Sequence, residues 1–156
     1  MLDPKAFSPL DSPAIAAFLL HPRREWTSPP DGASDHVIPI SNDVRLVCRS
    51  YAARPSSPVI LYFHGNAEIA CDYDDVARLF QELDVNLFVA DYRGYGDSTG
   101  APSFTAILQD AEAVYRYVLD MRASSGGSPT LFVMGRSLGS APALALAYAH
   151  PDTVRG

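Results

Sequence analysis

Residues Thr130–Ala149 read TLFVMGRSLGSAPALALAYA. The apolar run Leu131-Phe132-Val133-Met134 has the length of a buried strand, and the alanine- and leucine-rich run after Ser140 reads as a helix. Between them lies Gly135-Arg136-Ser137-Leu138-Gly139, the Gly-x-Ser-x-Gly pattern of a nucleophile elbow. A chain that turns sharply from strand into helix strains the serine at the apex. A side chain two positions away on either side would collide with that serine, and Gly135 and Gly139 have none. The turn presents the Ser137 hydroxyl at a helix N-terminus, where the N–H of Leu138 faces any developing negative charge. Taken alone, the pentapeptide also fits a plain strand-to-helix turn, so the rest of the chain has to decide.

At 156 residues the chain fits one domain with a substantial core. It is 47% apolar and 19% charged, as globular domains are, and the net charge of −6, with no basic cluster, argues against nucleic acid. The longest apolar candidate for a membrane span, Ala14–Leu20, is far shorter than the roughly 20 residues a bilayer requires. It also has neither the basic leader nor the cleavage site of a signal peptide. Cys48 and Cys71 are too few for a disulfide framework or a metal site, and a reducing, cytoplasmic setting is expected, with no metal and no cofactor.

Residues 1–34 form a proline-rich leader, in which only Ser12–Leu20 suits a short helix, capped by Ser12 with Pro13 at its first position. No chemistry is assigned to this leader. Residues 37–40 and 44–51 read as an antiparallel hairpin around Ser41-Asn42-Asp43. In its second arm Val44, Leu46 and Cys48 alternate with Arg45, Val47 and Arg49, as on a partly exposed edge. Residues 59–63 are continuously apolar, a strand buried on both faces. His64-Gly65-Asn66-Ala67-Glu68 follows, then a helix over about 72–83 with Tyr73, Val76, Ala77, Phe80 and Leu83 on one face. A strand at 86–90 runs into Asp91-Tyr92-Arg93-Gly94-Tyr95-Gly96-Asp97-Ser98, and a helix over about 103–122 returns to the strand at 130–134. Strand and helix alternate from residue 59 onward, which predicts a parallel sheet with right-handed crossovers. The three glycine-bearing loops all follow strands, where such sheets bind ligands.

These motifs, HGN at 64–66, DYRGYGDS at 91–98 and GRSLGS at 135–140, together resemble the α/β-hydrolase family. The likeness covers residues 35–156 and is greatest to small serine hydrolases, among them eukaryotic depalmitoylating members and bacterial relatives. It implies a three-layer α/β/α domain with a mostly parallel sheet in the order 1-2-4-3-5-6-7-8, led by an antiparallel hairpin and ending here after the helix that follows the fifth strand. It implies Ser137 as nucleophile, with the backbone N–H groups of Leu138 and Asn66 as oxyanion hole. His64 and Gly65 are then structural parts of the oxyanion loop. The loop bearing Asp91, Arg93, Gly94 and Gly96 braces the two catalytic loops.

The family's triad runs Ser, then Asp or Glu, then His, with the last two after later strands. Val154-Arg155-Gly156 reads as the start of a sixth strand, and His150-Pro151-Asp152 as a helix stop rather than a triad. The sequence therefore reads as the N-terminal half of a hydrolase that takes a small-molecule or acylated substrate. Two readings stay open: a serine ester or thioester hydrolase present as a fragment, or an inactive hydrolase-like chain with a binding role. Ester, thioester and small amide substrates all remain open. The uncharged run at 130–134 is expected to self-associate once it becomes an edge. Gly94-x-Gly96 with Gly100 does not make a dinucleotide site, because Ala101-Pro102 separates it from the next helix.

Overall fold

The computed structural model describes residues 4–128 and 130–155, with the side chains of residues 4 and 5 left aside. Parts of three expectations lie outside the described residues: the first three positions of the leader, Pro129 in the loop before the last strand, and Gly156.

Five strands form one mixed sheet: β1 (Ala33–Pro39), β2 (Arg45–Tyr51), β3 (Val59–Phe63), β4 (Asn86–Ala90) and β5 (Leu131–Gly135), in the order β1-β2-β4-β3-β5. β1 and β2 are antiparallel, β2 and β4 are antiparallel, and β3 pairs in parallel with both β4 and β5. This is the expected α/β-hydrolase arrangement. Its crossover helices are α2 (Ala77–Glu82) and α3 (Phe104–Ser124), with α4 (Ser140–Ala149) after β5. Val154 bridges to Leu131 in parallel, and the Arg155 amide donates to the Leu131 carbonyl at 2.8 Å, the start of a further strand beside β5.

The continuous apolar strands are explained by burial on both sides. On β4, Phe88 and Ala90 join Leu61, Val114, Val118 and Leu146 in one core, against α3 and α4. Leu87 and Val89 face Tyr62, Tyr73 and Ala77 in a second core on the opposite face. Two-residue periodicity thus feeds two apolar layers from one strand.

Three local expectations need correction. β2 is not an edge but lies between β1 and β4, and Arg49 is only 1% exposed. Its Nε lies 2.6 Å from Asp35 Oδ1, its Nη1 lies 3.0 Å from Asp74 Oδ1, and its Nη2 donates to the Thr27 carbonyl at 2.5 Å. Alternation failed as a guide because a fully paired arginine can occupy a core position. The helix expected over 72–83 is a 3₁₀ turn at Ala70–Tyr73 followed by the short α2, leaving Val76 and Leu83 exposed. Asp72 and Asp74 hold the turn apart from the helix: the Asp72 carboxylate accepts from the Ile69 amide, and the Asp74 carboxylate binds Arg49 and the Tyr51 hydroxyl. Helix α1 (Pro13–Leu19) follows Ser12 and starts with Pro13, but the Ser12 side chain makes no capping hydrogen bond.

The leader is tied to the domain by specific hydrogen bonds. Asp11 accepts hydrogen bonds from the Phe104 amide (2.6 Å) and the Thr105 amide (3.2 Å), placing a carboxylate at the positive end of α3. Farther on, residues 19–23 reach the loop after β3.

Candidate active site

β5 ends at Gly135, and the chain turns through Arg136 into a 3₁₀ turn at Ser137–Gly139 that continues as α4. Ser137 stands at the apex with φ +51° and an exposed side chain. This left-handed conformation is strained for a side-chain-bearing residue. Both flanking glycines are sterically required, although their obstacle is not the serine. A Cβ on Gly135 would lie 2.1 Å from the Gly139 carbonyl oxygen, and one on Gly139 would lie 2.0 Å from that of Phe63. The elbow is therefore pressed directly onto the end of β3. The Arg136 amide donates to the Phe63 carbonyl at 3.1 Å, so Ser137 and the His64–Glu68 loop share one backbone junction.

Glu68 holds that loop. One carboxylate oxygen accepts from the Gly65 amide at 2.7 Å and the Tyr73 hydroxyl at 2.9 Å, while the other pairs with the Arg136 guanidinium of the elbow. A Cβ on Gly65 would lie 2.9 Å from the same carboxylate. The Asn66 side chain is fixed from above: its Oδ1 accepts from the Tyr95 hydroxyl at 2.8 Å and the His21 amide at 2.9 Å, and its Nδ2 donates to the Leu19 carbonyl at 2.6 Å. Arg23 adds a bond to the Ala67 carbonyl and a pair with Asp72. Among the described residues, neither the Asn66 amide nor the Leu138 amide has a hydrogen-bond partner.

His64 is completely buried, packed against Tyr92 and Tyr95 with ring centroids 4.4 and 5.5 Å away. Its Nδ1 contacts the Gly65 carbonyl at 2.8 Å, and its Nε2 lies 3.0 Å from Asp91 Oδ1, at an angle that makes this an electrostatic contact rather than a directed hydrogen bond. Asp91 also accepts from the Ala70 amide at 2.8 Å. A Cβ on Gly96 (φ +54°) would lie 2.1 Å from Asp91 Oδ2, so the carboxylate sits where only glycine fits. Arg93 and Gly94 tie this loop to α3 and to the chain just before it. Arg93 makes a bidentate pair with Asp110 of α3 at 2.7 and 2.8 Å, and Gly94 packs on Pro102.

Sequence reasoning passed over Glu68, Tyr95 and the leader residues His21 and Arg23. Glu68 and Tyr95 lay within the quoted motifs, and their polar ends among glycines were the available signal. Nothing local marked His21.

The fold matches a known architecture. A family model described as serine aminopeptidase, S33, matches residues 54–156. The chain belongs to the α/β-hydrolase family. It is 36% identical over 100 residues to the protein bem46 of Schizosaccharomyces pombe, covering 64% of this chain and 33% of that one. It is 38% identical over 87 residues to the lysophosphatidylserine lipase ABHD12 of Gallus gallus, covering 54% and 22%. The Pyrococcus furiosus esterase Pf2001 superposes with a TM-score of 0.68 at 20% identity, over 86% of this chain and 55% of the esterase, which shows the shared fold. The chain spans a third or less of the curated relatives it matches.

Proposed function

We propose that these residues supply the nucleophile and oxyanion hole of a serine hydrolase that cleaves carboxylic esters or thioesters through an acyl-enzyme. The observation that carries this reading is Ser137 at φ +51°, exposed at the end of β5 beside the Asn66 loop. The lysophosphatidylserine lipase among its relatives supports an ester substrate. In this scheme Ser137 Oγ bonds to the substrate carbonyl carbon and loses its proton to a base. The Leu138 and Asn66 amides donate to the resulting oxyanion, and the leaving alcohol or thiol departs with that proton. Water then cleaves the acyl-enzyme, releasing the acid and restoring Ser137. His64, Asp91 and Gly96 act by holding the loops in place.

The base comes from outside the described residues. None of the four histidines hydrogen-bonds Ser137: His21 contacts Asn66, His36 contacts Tyr117 and Ser50, His64 faces Asp91, and His150 pairs with Glu112. That observation also favours a second reading, a hydrolase-like chain that turns over nothing by itself. The free thiols Cys48 and Cys71 support a reducing, cytoplasmic compartment.

The test is fluorophosphonate labelling and hydrolysis of an activated short-chain ester, by this chain and by a protein that continues past residue 156. The longer protein should be labelled and active, and Ser137→Ala should abolish both, with turnover falling by at least about 10⁴-fold. Retained activity in Ser137→Ala would exclude the assignment. Equal, Ser137-dependent activity in the short chain would place the base among residues 1–156.

A further inference from the structure

Arg122 lies in the last turn of α3 and is 5% exposed, yet none of its three guanidinium nitrogens has a hydrogen-bond partner. Every other arginine that is half-buried or more has a carboxylate: Arg23 has Asp72, Arg45 has Asp97, Arg49 has Asp35 and Asp74, and Arg93 has Asp110. Burial lowers the pKa of Arg122, and no acidic group offsets it. The loop after α3 binds only its backbone: the Gly127 amide and the Ser125 hydroxyl both donate to the Arg122 carbonyl, at 3.0 and 3.1 Å. The negative end of the α3 dipole accounts for a cation in the last turn but supplies no acceptor to the guanidinium. A buried cation without an acceptor is costly, and a planar fork of donors matches a carboxylate or phosphate.

Arg122 borders a cavity of about 280 Å³. Its walls are largely apolar, with Tyr51, Val59, Leu87, Phe88 and Met121 among them, and no Asp or Glu lines it. The volume corresponds to about nine waters, enough for a short aliphatic chain. Val59 and Asn86 open β3 and β4, so the cavity lies at the opposite end of the strands from Ser137, which follows the end of β5. The second cation on its wall, Arg54, is already paired with Asp84.

We propose that Arg122 and this cavity form a binding site for an amphiphilic anion, with its oxyanion head on the guanidinium and its aliphatic tail among Val59, Leu87, Phe88 and Met121. The head is a carboxylate or a phosphate monoester, which share this recognition. The site is separate from the Ser137 elbow and does not depend on hydrolysis.

The experiment is calorimetric titration with decanoate, decyl phosphate and decanol, each below its aggregation concentration. At least one anion should bind at one site per chain, with decanol at least about tenfold weaker, as expected for loss of a charge-assisted hydrogen bond. Arg122→Met should weaken the anion by about 10- to 100-fold, and Arg122→Lys should restore part of the loss. Ala53→Phe, which fills the cavity and keeps the guanidinium, should weaken the ten-carbon anion and serves where Arg122→Met fails to melt cooperatively. A preference for decanoate identifies a fatty-acid class, and a preference for decyl phosphate a phosphate-ester class. The proposal is overturned if neither anion binds, if decanol binds as well as they do, or if binding survives Arg122→Met or, where that variant does not fold, Ala53→Phe.

Discussion

The Tyr95 hydroxyl donates to Asn66 Oδ1 at 2.8 Å and accepts from the His21 amide at 3.1 Å, so one phenol joins the loop after β4, the loop after β3 and the leader. If the Asn66 amide serves as an oxyanion donor, this clamp sets its direction. In a longer protein with hydrolase activity, Tyr95→Phe is expected to lower kcat about tenfold. That is less than the roughly 10²-fold or greater loss from deleting a donor outright, and KM should change little. Steady-state kinetics on an activated ester would check it, and an unchanged kcat would show that the clamp does not bear on catalysis.

The elbow is least tolerant at Gly139. A Cβ there would meet the Phe63 carbonyl carbon at 2.5 Å as well as its oxygen, both backbone atoms of a central strand. Gly139→Ala is expected to cost about 3 kcal/mol or more by forcing β3 and α4 apart. Urea unfolding measures it, and a loss below about 1 kcal/mol would mean that the junction yields easily.

Arg49 is the most deeply buried arginine among the described residues. Burial alone would lower its pKa, but the hydrogen bonds it donates to Asp35 and Asp74 outweigh this and raise it. Arg49→Ala leaves two half-buried carboxylates without their cation and should destabilise by about 3 kcal/mol. Combining it with Asp35→Asn and Asp74→Asn should recover part of that loss, and equal stability of the single and triple variants would count against the account.

His36 links stability to pH. It is half-buried between β1, β2 and α3, touching the Tyr117 hydroxyl, the Ser50 hydroxyl and the Phe88 ring. Burial lowers its pKa, partly opposed by Asp35. A folded-state value below the unfolded one means that the unfolded chain binds more protons, so stability is fully present above about pH 6.5 and lost as pH falls toward the folded value. His36→Gln should flatten the melting temperature between about pH 5 and 6.5. The same slope in the variant would assign it to other groups.

Beyond the Leu131 bridge, β5 is one of the sheet's two edges, the other being β1, with Phe132 and Met134 exposed and apolar Leu144 and Tyr148 exposed on α4 beside it. We propose that the isolated chain associates along this edge. Sedimentation should show concentration-dependent oligomers that Met134→Lys suppresses, since a charge on an edge strand blocks pairing. A monomer at high concentration would contradict this.

Much of the frame was legible because apolar period and glycine spacing record it directly. Val59–Phe63 and Asn86–Ala90 are apolar at every position but Asn86 because each strand serves two cores. Gly135 and Gly139 announce a backbone contact that tolerates no side chain. What stayed hidden depends on partners far apart in the chain. Arg49 reads as a surface residue until Asp35, Asp74 and Thr27 are brought around it. His21 lies 45 residues from Asn66, in a proline-rich leader to which the sequence assigns no chemistry. Asp11 reaches the start of α3 across 93 residues.

The left-handed backbone at Ser137 has an evolutionary side. A side chain held at φ +51° costs on the order of 1 kcal/mol that glycine would not incur. Selection for stability alone would therefore drive position 137 toward glycine, and a descendant freed from any use for the hydroxyl has a single-step route to a more comfortable fold. Serine at this apex works against that drift, and it will disappear first in copies that no longer need it.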